Sequence, residues 1–122
     1  MVIHLDTNYL IRALISGSDE DQQLRRWLAD DEVIGISLVA WAEFLCGPLE
    51  PDDASLAAAI VGEALPVTSK HAALAASIFN ETGRRRGSFV DCLIASVAID
   101  EHARLATGNT KDFSRVPNLQ LI

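Results

Sequence analysis

Val2-Ile3-His4-Leu5-Asp6-Thr7-Asn8-Tyr9-Leu10 decides the fold. Val2–Leu5 is a short β-branched-rich run and reads as a buried strand, which the polar Asp6-Thr7-Asn8 ends. Tyr9, Leu10, Ala13 and Leu14 then keep helical spacing until Gly17 breaks it. A strand that feeds directly into a helix is the first half of a crossover unit. Parallel strands need such crossovers, and the connections are right-handed.

The same alternation continues along the chain. A helix is predicted over about Asp19 to Asp30, with an acidic first turn suited to the helix dipole and a stripe of Leu24, Trp27 and Leu28. Val33–Ile36 reads as a second strand. Ser37 caps a helix from about Leu38 to Cys46, stopped by Gly47-Pro48. Pro51-Asp52-Asp53 opens a helix to about Ala64, and Leu65-Pro66-Val67 reads as a short edge strand. Thr68 or Ser69 caps a helix reaching Thr82. Phe89 to His102 holds the most apolar helix, which is expected to be buried nearly all round. Arg104–Thr107 is a strand, Gly108–Ser114 a turn and Leu119–Ile122 a last strand. With no repeat, linker or low-complexity segment, residues 1–122 read as one α/β domain with a mainly parallel sheet.

Composition bounds what such a domain does. An apolar fraction of 49% fills a core and excludes intrinsic disorder. No apolar run approaches the roughly 18 residues of a membrane span. The start lacks a basic n-region and a cleavage site, so the cytoplasm is the expected location. Cys46 and Cys92 lack metal-ligand spacing and are read as buried thiols. The net charge of −7 argues at first against a nucleic-acid partner. Its distribution weakens that argument. Residues 1–83 hold 13 acids and 4 bases, whereas residues 84–122 hold 4 acids and 6 bases, including Arg84-Arg85-Arg86.

Three acids stand where apolar residues are expected. Asp6 directly follows the first strand. Glu43 lies inside Leu38-Val39-Ala40-Trp41-Ala42-Glu43-Phe44-Leu45-Cys46, and Asp91 lies at the start of the buried helix. Ligands of open parallel sheets bind beyond the carboxyl ends of the strands. Asp6 lies at such an end, and the strand Arg104–Thr107 ends beside Asn109 and Asp112. If those two strands are neighbours, the polar groups share one rim. Clustered carboxylates repel and hold their protons more tightly unless a cation sits among them. Mg²⁺ and Mn²⁺ prefer such oxygen ligands, and they activate water and neutralise phosphate charge. The matching chemistry is phosphodiester hydrolysis. Each residue also has a plainer reading: Asp6 and Asp91 as helix caps, Glu43 as a surface or ion-paired residue, Asn109 and Asp112 as turn formers.

Leu5-Asp6-Thr7-Asn8, Trp41-Ala42-Glu43-Phe44, Val90-Asp91-Cys92-Leu93-Ile94-Ala95-Ser96 and Leu105-Ala106-Thr107-Gly108-Asn109-Thr110-Lys111-Asp112-Phe113 resemble, in order and spacing, the PIN-domain ribonucleases. Within that family they are most similar to the VapC-type toxins of toxin–antitoxin pairs. The resemblance implies a three-layer α/β/α sandwich around a five-stranded sheet. It implies endonucleolytic cleavage of tRNA, rRNA or mRNA with Mg²⁺ or Mn²⁺, a cognate antitoxin that blocks the pocket, and a homodimer. Asp6, Glu43 and Asp91 match the family's three principal metal-binding acids. The fourth position, often Asp, is Asn109 here, with Asp112 three residues on as the other claimant.

Thr7, Asn8 and Thr107 are polar neighbours able to orient ligands or water, or simply to cap and line a strand end. Arg84, Arg85, Arg86 and Lys111 are candidates for holding backbone phosphates, and the arginine run also reads as a solvated helix end. Exposed apolar groups near Trp27 and Trp41 are candidates for the dimer surface. A response-regulator receiver needs an acidic pair after the first strand, where this chain has only Asp6. An Asp-x-Asp phosphotransferase fails at Asn8. A related DNA nuclease needs helical clamps for which the chain is small. The remaining alternative is a non-catalytic RNA- or protein-binding module of the same fold.

Overall fold

The computed structural model describes all 122 residues. Its sheet has four parallel strands in the order β2-β1-β3-β4. These are β1 (Val2–Leu5), β2 (Val33–Gly35), β3 (Arg104–Ala106) and β4 (Gln120–Leu121). The first strand is central. Ile3 pairs with Ile34 on one side and Arg104 on the other, and Leu5 pairs with Ala106. Ile3, Leu5 and the intervening His4 are all buried, so both faces of the sheet are covered, as parallel sheets require.

The expected fifth strand is cut down to one parallel bridge between Ser37 and Leu65. Leu65 N–H donates to Ile36 at 2.9 Å and its carbonyl accepts from Leu38 N–H at 2.7 Å. Beyond Ser37 the partner chain turns into a helix, so no ladder remains to extend. Pro66 is tolerated because the position is an edge.

Seven helices surround the sheet: α1 (Thr7–Ala13), α2 (Asp19–Ala29), α3 (Leu38–Cys46), α4 (Asp53–Val61), α5 (Ser69–Glu81), α6 (Phe89–Asp100) and α7 (Thr110–Phe113). Their starts follow local chemistry. Ser18, Ser37 and Thr68 each accept a backbone N–H through the side chain, satisfying donors that a helix start leaves free. His71 completes a capping box, its Nδ1 accepting from Thr68 N–H at 3.0 Å. α6 is the most enclosed helix, with Cys92 and Ile94 to Ala98 buried and the Ser96 hydroxyl donating to Leu93 O.

Several expectations from composition are corrected. α3 lies on the surface: Ala40 and Phe44 alone are buried, and Leu38, Leu45 and Cys46 are exposed. Cys92 is buried, but Cys46 is not. Leu28 leaves the α2 stripe for solvent, whereas Trp27 is buried and stacks on Tyr9 at 5.8 Å. The exposed apolar group near Trp27 is thus Leu28, not Trp27 itself. The Gly108–Ser114 turn contains the short helix α7. No helix is long and apolar enough to cross a membrane.

One glycine lies close against a neighbouring ring. A Cβ on Gly35 would stand 3.1 Å and 3.2 Å from atoms of the His4 ring on the neighbouring strand. That ring is buried with no partner for Nδ1, and burial pushes its pKa down to about 4. The ring is therefore neutral near pH 7, which spares the core a buried charge.

Candidate active site

The pairing of β1 with β3 brings Asp6 and Thr107 to the same rim. Asp6 N–H donates to Ala106 O at 3.1 Å, which closes the last link between the strands. The Asp6 side chain caps α1, accepting from Tyr9 N–H at 2.7 Å. Its other oxygen accepts from the Thr107 hydroxyl. The capping reading of Asp6 is thus correct, and it also fixes the carboxylate at the strand end. Burial raises the Asp6 pKa and the Glu43 charge adds to the rise, while the bonds from Thr107 and Tyr9 oppose it.

Glu43 arrives from α3. The Thr7 hydroxyl donates to Glu43 Oε1 at 2.9 Å, beside a longer bond to Ala40 O at 3.2 Å. Because α3 is a surface helix, Glu43 is exposed. The cost of burying a charge therefore does not explain it; its place beside Asp6 and Asp91 is what singles it out.

Asp91 lies in the first turn of α6, half-buried, with no hydrogen-bonding partner for its side chain. A helix N-terminus ordinarily favours a carboxylate. Here burial and then the charges of Glu43, Asp112 and Asp6 push the pKa up to about 6. Asp6 at the end of β1, Glu43 of α3 and Asp112 of α7 thus all bear on Asp91 of α6.

The two claimants to the fourth position touch each other. Asn109 N–H donates to the Thr107 hydroxyl at 2.9 Å, and Asn109 Nδ2 donates to Asp112 Oδ2 at 3.1 Å. Arg85 Nη1 meets Asp112 Oδ1 at 3.2 Å. Asn109 first and Arg85 second hold the Asp112 carboxyl below its usual range. Asp112 carries the charge, and Asn109 ties it to Thr107.

The basic residues divide. Arg85 belongs to the site through Asp112. Arg84 lies over the Phe79 ring, 5.7 Å from its centre, and donates to Asn80 Oδ1 at 2.7 Å. Arg86 and Lys111 are exposed, without a side-chain partner. Asn8 is also exposed and borders an open cavity of about 940 Å³ whose wall includes Arg12, Ile15, Glu20, Thr107 and Asn109. Arg12 and Glu20 are absent from the sequence-derived set. Arg12 falls four residues after Asn8 on α1, the helical spacing that places both on one face.

No three Asp, Glu, His or Cys side chains stand close enough to form a ready-made metal cage. Mg²⁺ does not need one, since it keeps several waters and binds through one or two carboxylates together with substrate phosphate. An all-oxygen, mutually repelling donor set matches such an ion and not a softer metal.

Comparison with known proteins agrees with this architecture. The PIN domain family matches residues 3–119. No curated protein matches the sequence significantly. Among solved structures, VapBC2 from Rickettsia felis, bound to a DNA fragment from its promoter, is 28% identical with a TM-score of 0.81, over 100% of this chain and 98% of that one. A toxin–antitoxin complex from Klebsiella pneumoniae is 26% identical with a TM-score of 0.74, covering 96% and 94%. VapC20 from Mycobacterium tuberculosis, a toxin that cleaves the sarcin–ricin loop, is 22% identical with a TM-score of 0.62, covering 97% and 98%. At that identity the likeness is one of fold.

Proposed function

The chain belongs to the PIN-domain family, and from that premise we propose that it is a Mg²⁺- or Mn²⁺-dependent endoribonuclease, the toxin of a toxin–antitoxin pair. The observation that carries the reading is the state of Asp91. A carboxylate at a helix N-terminus, without a hydrogen-bonding partner of its own, has its pKa pushed up to about 6 by burial first and then by the charges of Glu43, Asp112 and Asp6.

Asp6, Glu43 and Asp91 are the residues that hold the ion, and Asp112 extends the negative rim. Bound there, a divalent ion lowers the pKa of a water and neutralises charge growing on a phosphate. The chain supplies the positioning. Thr107 and the Tyr9 N–H hold Asp6, Thr7 holds Glu43, and Asn109 with Arg85 holds Asp112. Arg84, Arg85, Arg86 and Lys111 attract the backbone phosphates, and Asn8 borders the open groove beside the rim. An acidic pocket that binds a polyanion is consistent once the ion's own charge is counted.

The partners follow from the same reading: RNA of the tRNA, rRNA or mRNA class, a cognate antitoxin, and a second copy of the chain, all in the cytoplasm. Residues 1–122 act as one nuclease domain. The test is incubation of purified, antitoxin-free protein with RNA. Cleavage is expected with Mg²⁺ or Mn²⁺, none with chelator, and none for Asp6→Asn, which keeps its cap. Cleavage that survives both changes overturns the metal mechanism. Absence of cleavage by wild-type protein with metal favours the non-catalytic binding module.

A further inference from the structure

Asp112 is unlike the other acids of the rim. Asp91 has no hydrogen-bonding partner, whereas both oxygens of Asp112 are engaged. Oδ2 accepts from Asn109 Nδ2 at 3.1 Å, and Oδ1 meets Arg85 Nη1 at 3.2 Å. Arg115, exposed and without a side-chain partner, adds a second positive charge that favours the Asp112 carboxylate. Arg85, Asp91, Asp112 and Arg115 line one small cavity between the start of α6 and α7. Within that cavity wall, two arginines answer Asp112 and none is bonded to Asp91.

Arg85 is held at both ends. Its carbonyl accepts from Ser88 N–H at 3.1 Å and from the Ser88 hydroxyl at 2.7 Å, which sets the backbone just before α6. Its guanidinium is set by Asp112. A guanidinium carries five N–H donors in a rigid fork, and the bond to Asp112 uses one of them. With 40% of the side chain exposed, donors remain for an anion. Fixing a flexible cation in advance spares the ordering cost that binding would otherwise carry. The other bases differ: Arg84 leans on Phe79 and Asn80, while Arg86 and Lys111 have no side-chain partner. A negative charge at a rim that receives a polyanion is unfavourable by itself. That disadvantage is offset where the acid aims a cation.

We propose that Asp112 is a positioning residue and not a ligand of the metal: steadied by Asn109, it holds the Arg85 fork beside Asp91 to receive a substrate phosphate. This rests on the ribonuclease reading and divides its four acids, three for the ion and one for the arginine. A bidentate grip on phosphate is what the guanidinium geometry suits, and a lysine ammonium does not reproduce it.

The test is binding of a short fluorescein-labelled oligoribonucleotide to the full-length protein in chelator, where no metal contributes, read by anisotropy. Arg85→Gln is expected to weaken binding roughly tenfold, the scale of a charge-assisted bond. Arg86→Gln, which removes the same charge from an unheld side chain, is expected to cost less. Arg85→Lys keeps the charge without the fork and is expected not to recover the loss. Asp112→Ala is expected to weaken binding severalfold although it removes a negative charge. Asp112→Asn, which keeps an oxygen for Arg85, is expected to recover most of that. The double variant Arg85→Gln with Asp112→Ala should bind no more weakly than Arg85→Gln alone, because the acid acts through the arginine. Melting temperatures should stay near wild type, since these positions are exposed or half-buried. Tighter binding by Asp112→Ala overturns the proposal, because the acid then only repels. Losses that multiply in the double variant overturn it as well, as does a wild type that binds no oligonucleotide in chelator. A loss of Mn²⁺ affinity in Asp112→Ala as large as in Asp91→Asn makes Asp112 a ligand and also overturns it. Each of these results leaves metal-dependent cleavage by wild type, and so the nuclease reading, standing. If the coupling holds in binding but wild type never cleaves with metal, the positioning role stands and the nuclease reading falls.

Discussion

α6 carries a carboxylate at each end, and the two live under opposite conditions. Asp100, its last residue, sits where the helix dipole disfavours an anion. Yet Lys70 and the buried His71, whose Nε2 lies 2.8 Å away, hold its pKa low. Asp91, in the first turn, enjoys the favourable dipole and still has its pKa pushed up to about 6. A helix dipole contributes about 0.3–1 kcal/mol at such positions; at Asp100 the bonds from Lys70 and His71 outweigh it, and at Asp91 burial, followed by the neighbouring acids, does. Asp100 is answered by Lys70 and the His71 ring and belongs to the scaffold that ties α5 to α6. Asp91 faces three further carboxylates, with no hydrogen-bonding partner of its own. The contrast separates an acid that builds the structure from one that awaits something from outside it.

The largest expected effect breaks the pair apart directly. Asp91→Asn should reduce RNA cleavage by at least about 10²- to 10³-fold, the scale of losing a group that stabilises developing charge. Asp100→Asn should leave cleavage unchanged and lower the melting temperature. Initial rates beside thermal melts decide it, and equal loss of cleavage in both would erase the distinction. Next in size is Thr107→Val, which removes the hydroxyl shared by Asp6 and Asn109 while keeping its volume. A loss of about 10- to 100-fold in Mn²⁺ affinity is expected, typical of partners that orient ligands. Gly35→Ala tests the scaffold alone. Pressing a methyl onto the His4 ring should cost about 1–3 kcal/mol by denaturant titration, with the folded fraction cleaving as before.

The smallest effect is in pH. The raised pKa of Asp91 means that the metal-free folded state binds its proton more tightly than the unfolded chain. Its contribution is present at low pH and lost as pH rises from about 4 to about 6. His4, lowered from 6.5 to about 4, acts oppositely: its contribution is lost as pH falls from about 6.5 to about 4. Asp91→Asn removes the first effect and leaves the second. Melting temperature should then fall more steeply on acidification from pH 6.5 to 4 in the variant than in wild type. Parallel curves would place the raised pKa elsewhere.

Much of this was legible in the chain. Val2–Leu5 followed by Asp6 specifies a buried strand with an acid at its end. The near-unbroken apolar run from Cys92 to Ile99 specifies an enclosed helix with Asp91 at its mouth. α3 was less legible, because its composition says core while the fold places it on the surface. An apolar helix in sequence has no outward sign of being half uncovered. Glu43 was singled out as an acid inside an apolar run, and the structure places it exposed with Oε1 accepting from Thr7. The link from Asn109 to Asp112 through an amide, and from Asp112 to Arg85 across 27 positions, depends on side-chain geometry that spacing does not carry. The fifth strand was lost for a local reason, since Ser37 caps a helix where the ladder would have continued.

The central claim is that the rim of carboxylates around Asp91 is held for a divalent cation. Calorimetric titration of Mn²⁺ at pH 6, into wild type and Asp91→Asn in two buffers of different ionisation heat, tests it most directly. Asp91 is partly protonated at that pH, so binding to wild type should release protons and show buffer-dependent heat. Asp91→Asn should bind more weakly and release fewer. Equal affinity and equal proton release in the two proteins would contradict the account.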